Sequence, residues 1–141
     1  MIFFFKLGFF KKLFFLNSLF YLILTKFFFR IFKFKTLLSI TNKICDFNKL
    51  FFYKNDYINV DELFLIHLKI SDKLKNISCF QRCIAAKISF SFIGVDIKIV
   101  NGIIQMENKF KVKGHSWLEY KSRAITSKNE DISDYIESFR I

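Results

Sequence analysis

The stretch that decides the fold is Ser78 to Asp96, SCFQRCIAAKISFSFIGVD. Ser78 followed three residues later by Gln81 is a capping box, and Gly94 after the last apolar residue is a left-handed helix stop. The spacing predicts a helix over residues 79–93, with Cys83, Ala86, Phe90 and Ile93 on one face and small Ala85 and Ala86 allowing a neighbour to come close. It reads as the central buried helix.

Upstream, NVDELFLIHLKISDKLKN (residues 59–76) has Leu63, Ile66, Ile70 and Leu74 at helical spacing, and Asn59 with Glu62 marks its start. His67 is expected at the surface or boundary of this helix rather than as a ligand or base. Downstream, the period falls to two. Residues 95–104 read as a strand with Gly102 as a candidate bulge, QMENK as a polar turn, residues 110–120 as a second strand and residues 124–126 as a short third. His115, Trp117 and Glu119 share one face of the second strand, and Ser116, Leu118 and Tyr120 share the other. Helices followed by an antiparallel meander make an α+β fold.

Charge and phenylalanine divide the 141 residues. Residues 1–43 hold eight Lys or Arg, no acid, and 13 of the 22 Phe, so they carry +8 of the net +11. Residues 1–44 are therefore read as a basic, Phe-rich amphipathic helical arm and 45–141 as the globular body, the composition changing between Lys43 and Asn48. With 52% hydrophobic residues the chain has ample apolar surface to fold, and its length leaves no room for a two-domain cofactor enzyme.

The longest uncharged run of the arm, residues 13–25, is shorter than the about 20 apolar residues of a span. Extension to Phe29 would leave a short or tilted span as an alternative, with Lys26 snorkelling. The other readings are a helix packed on the body and a helix at a membrane surface or on a partner. No small-residue cleavage site follows the run, so export is not expected and the chain is placed in the cytoplasm. An arm this apolar, with no helix-turn-helix, zinc or ribonucleoprotein motif after it, excludes nucleic acid as the expected partner. Cys45, Cys79 and Cys83 form no CxxC pair and have no His at metal-ligand spacing, which suits a reducing compartment and predicts no metal.

Cys79 is the first residue of a capped helix, where unpaired amides and the positive end of the helix dipole favour thiolate. Arg82 adds positive charge. The alternative is a buried, inert thiol, which Cys83 is expected to be. His115 begins a strand after Gly114. A thiol enzyme needs an imidazole to take the thiol proton and return it to the leaving amine, and a third group to orient the ring.

Two motifs carry a family resemblance. SCFQRCIAAKISFSFIGVDIKIVNGI and FKVKGHSWLEY resemble the transglutaminase-like leader peptidases of lasso-peptide biosynthesis, in which Cys with Arg three residues on opens a helix, and a strand carries His-small-Trp-aliphatic-Glu. LFYLILTKFFFRIFKFKTLLSI is similar, more weakly, to the family's apolar basic N-terminal stretch. The resemblance implies a transglutaminase-like (papain-like) core and a cysteine peptidase that removes the leader from a ribosomally made precursor, with Cys79 as nucleophile and His115 as base. It implies no cofactor, and as partners the precursor peptide, a small leader-binding protein and an ATP-dependent cyclase.

The family's third residue, an Asp about a dozen positions after the His, falls here on Ser127. Asn129, Glu130 and Asp131 lie just beyond, and a small insertion would bring Asp131 to the ring. The alternative for Asp131 is the N-terminal charge of a final short helix, DISDYIESF. Glu119 is another candidate support, and Trp117 is expected to pack near the site. A transglutaminase-fold acyltransferase or amidase would keep the same residues, and a non-enzymatic membrane-surface scaffold would make the arm the functional part.

Overall fold

The computed structural model describes residues 8–51, 58–105, 112–125 and 131–141. Among the described residues four helices, α1 (Phe9–Ile31), α2 (Phe34–Phe51), α3 (Val60–Ser71) and α4 (Cys79–Ser91), precede four strands, β1 (Lys98–Gln105), β2 (Val112–Tyr120), β3 (Arg123–Ile125) and β4 (Ile136–Arg140). The strands form one antiparallel sheet in the order β3-β2-β1-β4. This is an α+β arrangement of helices packed on a small antiparallel sheet.

The helix starts follow the sequence. Ser78 Oγ accepts from the Gln81 amide at 3.2 Å and Gln81 Oε1 accepts from the Ser78 amide at 2.9 Å, so two donors that helix geometry would strand are satisfied. Asn59 Oδ1 accepts from the Glu62 amide at 3.1 Å to open α3. The ends come earlier than expected. In α4 the last turn closes through Val95 N to Phe90 O at 3.0 Å, with Gly94 at φ 74°, so residues 92–94 form the stop rather than more helix. In α3 the Ser71 hydroxyl donates to Leu68 O, successive i,i+3 turns replace the helix, and Asn76 turns left-handed at φ 61°.

The core lies between the helices and one face of the sheet. Ala85, Ala86 and Phe90 of α4 are wholly buried, and Ile97, Ile99, Leu118 and Ile125 meet them from the sheet side. The arm is two helices packed on the body rather than one, with the break at Phe32, whose backbone is extended. Helix α1 turns Phe14, Ser18, Leu22 and Thr25 inward, and the Phe14 ring lies 5.0 Å from that of Phe90. Helix α2 runs without interruption through the composition change and buries Leu37, Thr41, Cys45 and Asn48. Asn48 Nδ2 donates to Ser91 Oγ at 2.9 Å, and that hydroxyl donates to Ile88 O. The neighbouring Lys87 ammonium donates to Ile97 O at 2.7 Å, while burial lowers its pKa and raises that of Cys45.

Two expectations are corrected. His67 is fully buried, because it bridges three helices: a carbonyl can only accept, so Nε2–H donates to Arg82 O (3.1 Å) and Nδ1 accepts from the Ser18 hydroxyl (3.3 Å). The final segment is a strand, not a helix. It satisfies the open edge of β1, and just after it Ile141 exchanges both backbone bonds with Ile99 at 2.8 Å. Gly102 lies at a register shift between β1 and β4, and a Cβ there would sit 2.7 Å from the Trp117 ring.

Candidate functional site around Cys79

Cys79 opens α4, half-buried, with the first-turn amides of the helix beside it. It lines a narrow crevice with Phe64 and Leu68 of α3, Arg82 and Cys83 of α4, and Ser116, Trp117 and Leu118 of β2. The crevice encloses about 20 Å³, room for roughly one water molecule. One turn along the helix, the buried Cys83 thiol donates to Ser116 O at 3.4 Å, which fixes α4 against β2 at this level. The Arg82 guanidinium pairs with Asp72 at 3.2 Å and its carbonyl is held by His67, so the residue anchors the mouth of the helix from both ends.

His115 is adjacent in sequence to the crevice wall, but its side chain takes the other face of the sheet. The β1–β2 register is unbroken, pairing Asn101 with Ser116 and Gly102 with His115. Ser116 donates to Asn101 Oδ1 at 2.6 Å, and Leu118 enters the core beneath α4. Alternation therefore directs His115 and Trp117 to the face away from α4. The ring contacts there agree: His115 lies 5.5 Å from Tyr135 and 6.3 Å from Trp117, and Trp117 lies 6.3 Å from Tyr135. Among the described residues no hydrogen bond joins Cys79 to His115.

The edge of β2 separates the two side chains. Among the described residues strand β3 pairs only with Leu118–Tyr120, and no strand lies beside residues 112–117 on that side.

The candidates for a third residue separate clearly. Asp131 is exposed and accepts from the Ser133 amide at 2.9 Å, a contact that holds its carboxyl below the usual range. Four residues on, Tyr135 packs on the His115 face of the sheet. Glu119 shares that face but accepts from Arg140 at 2.9 Å, four residues along the strand from the imidazole. Ser127, Asn129 and Glu130 fall outside the described residues. Among the described residues no group of three or more His, Cys, Asp or Glu could hold a metal ion.

Sequence reasoning missed Tyr135, which sits in a turn with no periodic signal, and the Asn101–Ser116 pair, two polar residues facing one another across β1 and β2. It also missed a wider cleft of about 610 Å³ at the far end of α4, lined by Lys49, Asp96, Lys98, Tyr120 and Lys121 among others. That cleft does not include Cys79 or His115.

Comparison with known proteins adds no relative: no family model matches the chain, and no curated protein or solved structure matches it either.

Proposed function

We propose that the chain is a cysteine peptidase with a transglutaminase-like core that removes the leader from a ribosomally synthesised precursor of the lasso type. The observation that carries this reading is a half-buried thiol at the first position of a capped helix, on the wall of a crevice whose opposite side is the strand bearing His115. In the reaction, the His115 imidazole takes the Cys79 proton and the thiolate attacks the carbonyl at the leader-core junction. The amides at the start of α4 receive the oxyanion. The tetrahedral species collapses, the C–N bond breaks, and the imidazolium returns its proton to the departing amine. Water, deprotonated by the same imidazole, then attacks the thioester and frees the leader carboxylate and the thiol. The step requires His115 to turn round the open edge of β2 when substrate is bound. Asp131, four residues before the Tyr135 that packs on this face, is the candidate to orient the ring.

We assign the work to the cytoplasm, beside a small leader-binding protein and an ATP-dependent cyclase, with residues 1–44 in contact with a membrane surface. The test is cleavage of precursor in the presence of its leader-binding partner, wild type against Cys79→Ala. Loss of cleavage by a variant with an unchanged melting temperature is expected, and undiminished cleavage ends the proposal.

The direction of His115 favours a second reading. In it Cys79 is an inert thiol, His115, Trp117 and Tyr135 are an aromatic cover for the sheet, and the protein is a membrane-surface scaffold. The same Cys79→Ala comparison separates the two, as would acyl transfer to an added amine for a transglutaminase-fold acyltransferase.

A further inference from the structure

Helix α1 is apolar on the side that faces away from the protein. Its inner face, Phe14, Ser18, Leu22 and Thr25, is spent on the core. Its outer face holds Phe9, Leu13, Leu16, Phe20, Ile23, Phe27 and Ile31, each close to half exposed or more, and Phe10 beside them. The steps of four and three residues keep these side chains on one stripe for the full length of the helix. Every exposed position of α1 is apolar except Arg30. A soluble helix shows the reverse pattern, and a contiguous apolar strip of this length marks a contact surface.

Two observations identify what covers it. The stripe is bordered by cations: at 100° per residue Lys12 and Arg30 fall along one margin, and exposed Lys33 and Lys35 follow at its end. Residues 1–43 contain no acid. An apolar strip with a cationic margin complements anionic lipid headgroups above acyl chains. The second observation concerns orientation. By length and composition, with a mean hydropathy of 1.5, α1 could cross a bilayer. Its inner face, however, is tied to the body through Ser18 to His67, through the Lys11–Glu62 ion pair, and through Lys26 Nζ to Lys75 O at 2.7 Å. A spanning helix would break all of these and strip the core of Phe14 and Leu22.

We propose that α1 lies in the plane of an anionic bilayer surface, its outer stripe among the lipids and its inner face still the wall of the folded domain. The same helix is thus core element and membrane foot. The proposal rests on the membrane-surface reading of residues 1–44 and is independent of the chemistry assigned to Cys79, so vesicle binding and precursor cleavage fail separately.

The experiment is co-sedimentation of the full chain with phosphatidylcholine vesicles, with and without admixed phosphatidylglycerol. Wild type is expected to sediment with the anionic vesicles about tenfold more strongly than with neutral ones, less so at raised salt, and to be released by alkaline carbonate. The Leu16→Gln/Ile23→Gln variant changes only exposed side chains; it should keep the wild-type melting temperature and lose binding by about tenfold or more. Arg30→Gln/Lys33→Gln/Lys35→Gln should abolish the preference for anionic lipid. Equal binding to both vesicles, or binding indifferent to the Leu16/Ile23 changes, overturns the proposal. So does retention in carbonate, which would mean a span. Failure to bind vesicles together with a concentration-dependent dimer that the double variant dissolves would assign the stripe to a second copy of the chain and overturn it as well.

Discussion

Raising the proton concentration should loosen this protein through one residue, His67. Its imidazole is fully buried and makes both of its hydrogen bonds as the neutral form, and burial lowers its pKa from 6.5 to about 4. In the unfolded chain the ring protonates near pH 6.5; in the folded protein it resists until about pH 4. Between those values the unfolded state binds more protons, so the stability His67 contributes is full above the unfolded pKa and is lost as pH falls through the window. A separation of two to three pH units corresponds to roughly 3 kcal/mol in total, of which about 2 kcal/mol is gone by about pH 5. The window lies largely above the range in which exposed carboxylates titrate. The assay is urea denaturation at a series of pH values for wild type and His67→Gln, whose amide can still donate and accept but does not titrate. Wild type should lose midpoint steadily below about pH 6.5 while the variant, less stable at neutral pH, stays level to about pH 5. Parallel curves for the two proteins would refute the assignment of a buried neutral imidazole at this position.

Other expectations follow from packing. Gly102→Ala places a methyl group 2.7 Å from Trp117 and 3.0 Å from Tyr135 Cβ, so the aromatic cover must shift; a loss of about 1–3 kcal/mol by thermal or urea unfolding is expected, and a neutral result would mean Trp117 does not cross this glycine. On α1 the two faces should respond oppositely: Leu22→Ala costs about 2–5 kcal/mol, whereas Leu16→Ala stays within about 0.5 kcal/mol, both read from chemical denaturation. Cys79 should alkylate with iodoacetamide faster than buried Cys45 and Cys83 in the folded protein, by peptide mapping after a timed quench; equal slow rates would place Cys79 in the core with them.

Local grammar was legible and long-range pairing was not. The Ser78 capping box, the Asn59 cap and Gly94 were readable because each is completed within a few residues by groups the sequence itself supplies. Strands β1 and β2 were readable because one face of each is packed in the core, which leaves a period of two. Strand β4 was hidden for the opposite reason: all five of its residues are exposed, and it forms to satisfy the edge of β1 rather than to bury side chains. Helix α2 was partly disguised because Thr41 and Asn48 face inward, and Asn48 is satisfied by Ser91, far away in sequence. His67 looked peripheral because no sequence pattern announces that Ser18 and the Arg82 carbonyl will converge on it. At the candidate site, the cap that exposes Cys79 and the parity that groups His115 with Trp117 were both legible. Which face of β2 receives α4 was not, since Leu118 and Trp117 are both apolar and only the packed structure chooses between them.

Catalysis as proposed requires the side chains at positions 79 and 115 to meet across the open edge of β2. The bifunctional alkylating reagent dibromoacetone tests this directly, because its short carbon bridge joins a thiol sulfur to an imidazole nitrogen only where the two side chains come within reach of each other. Peptide mapping of the treated, folded protein should find Cys79 linked to His115, with Cys83 and Cys45 unmodified. Cys79 alkylated with no link to His115, in protein that keeps its native fold, would contradict the proposal and leave the thiol and the imidazole on separate faces.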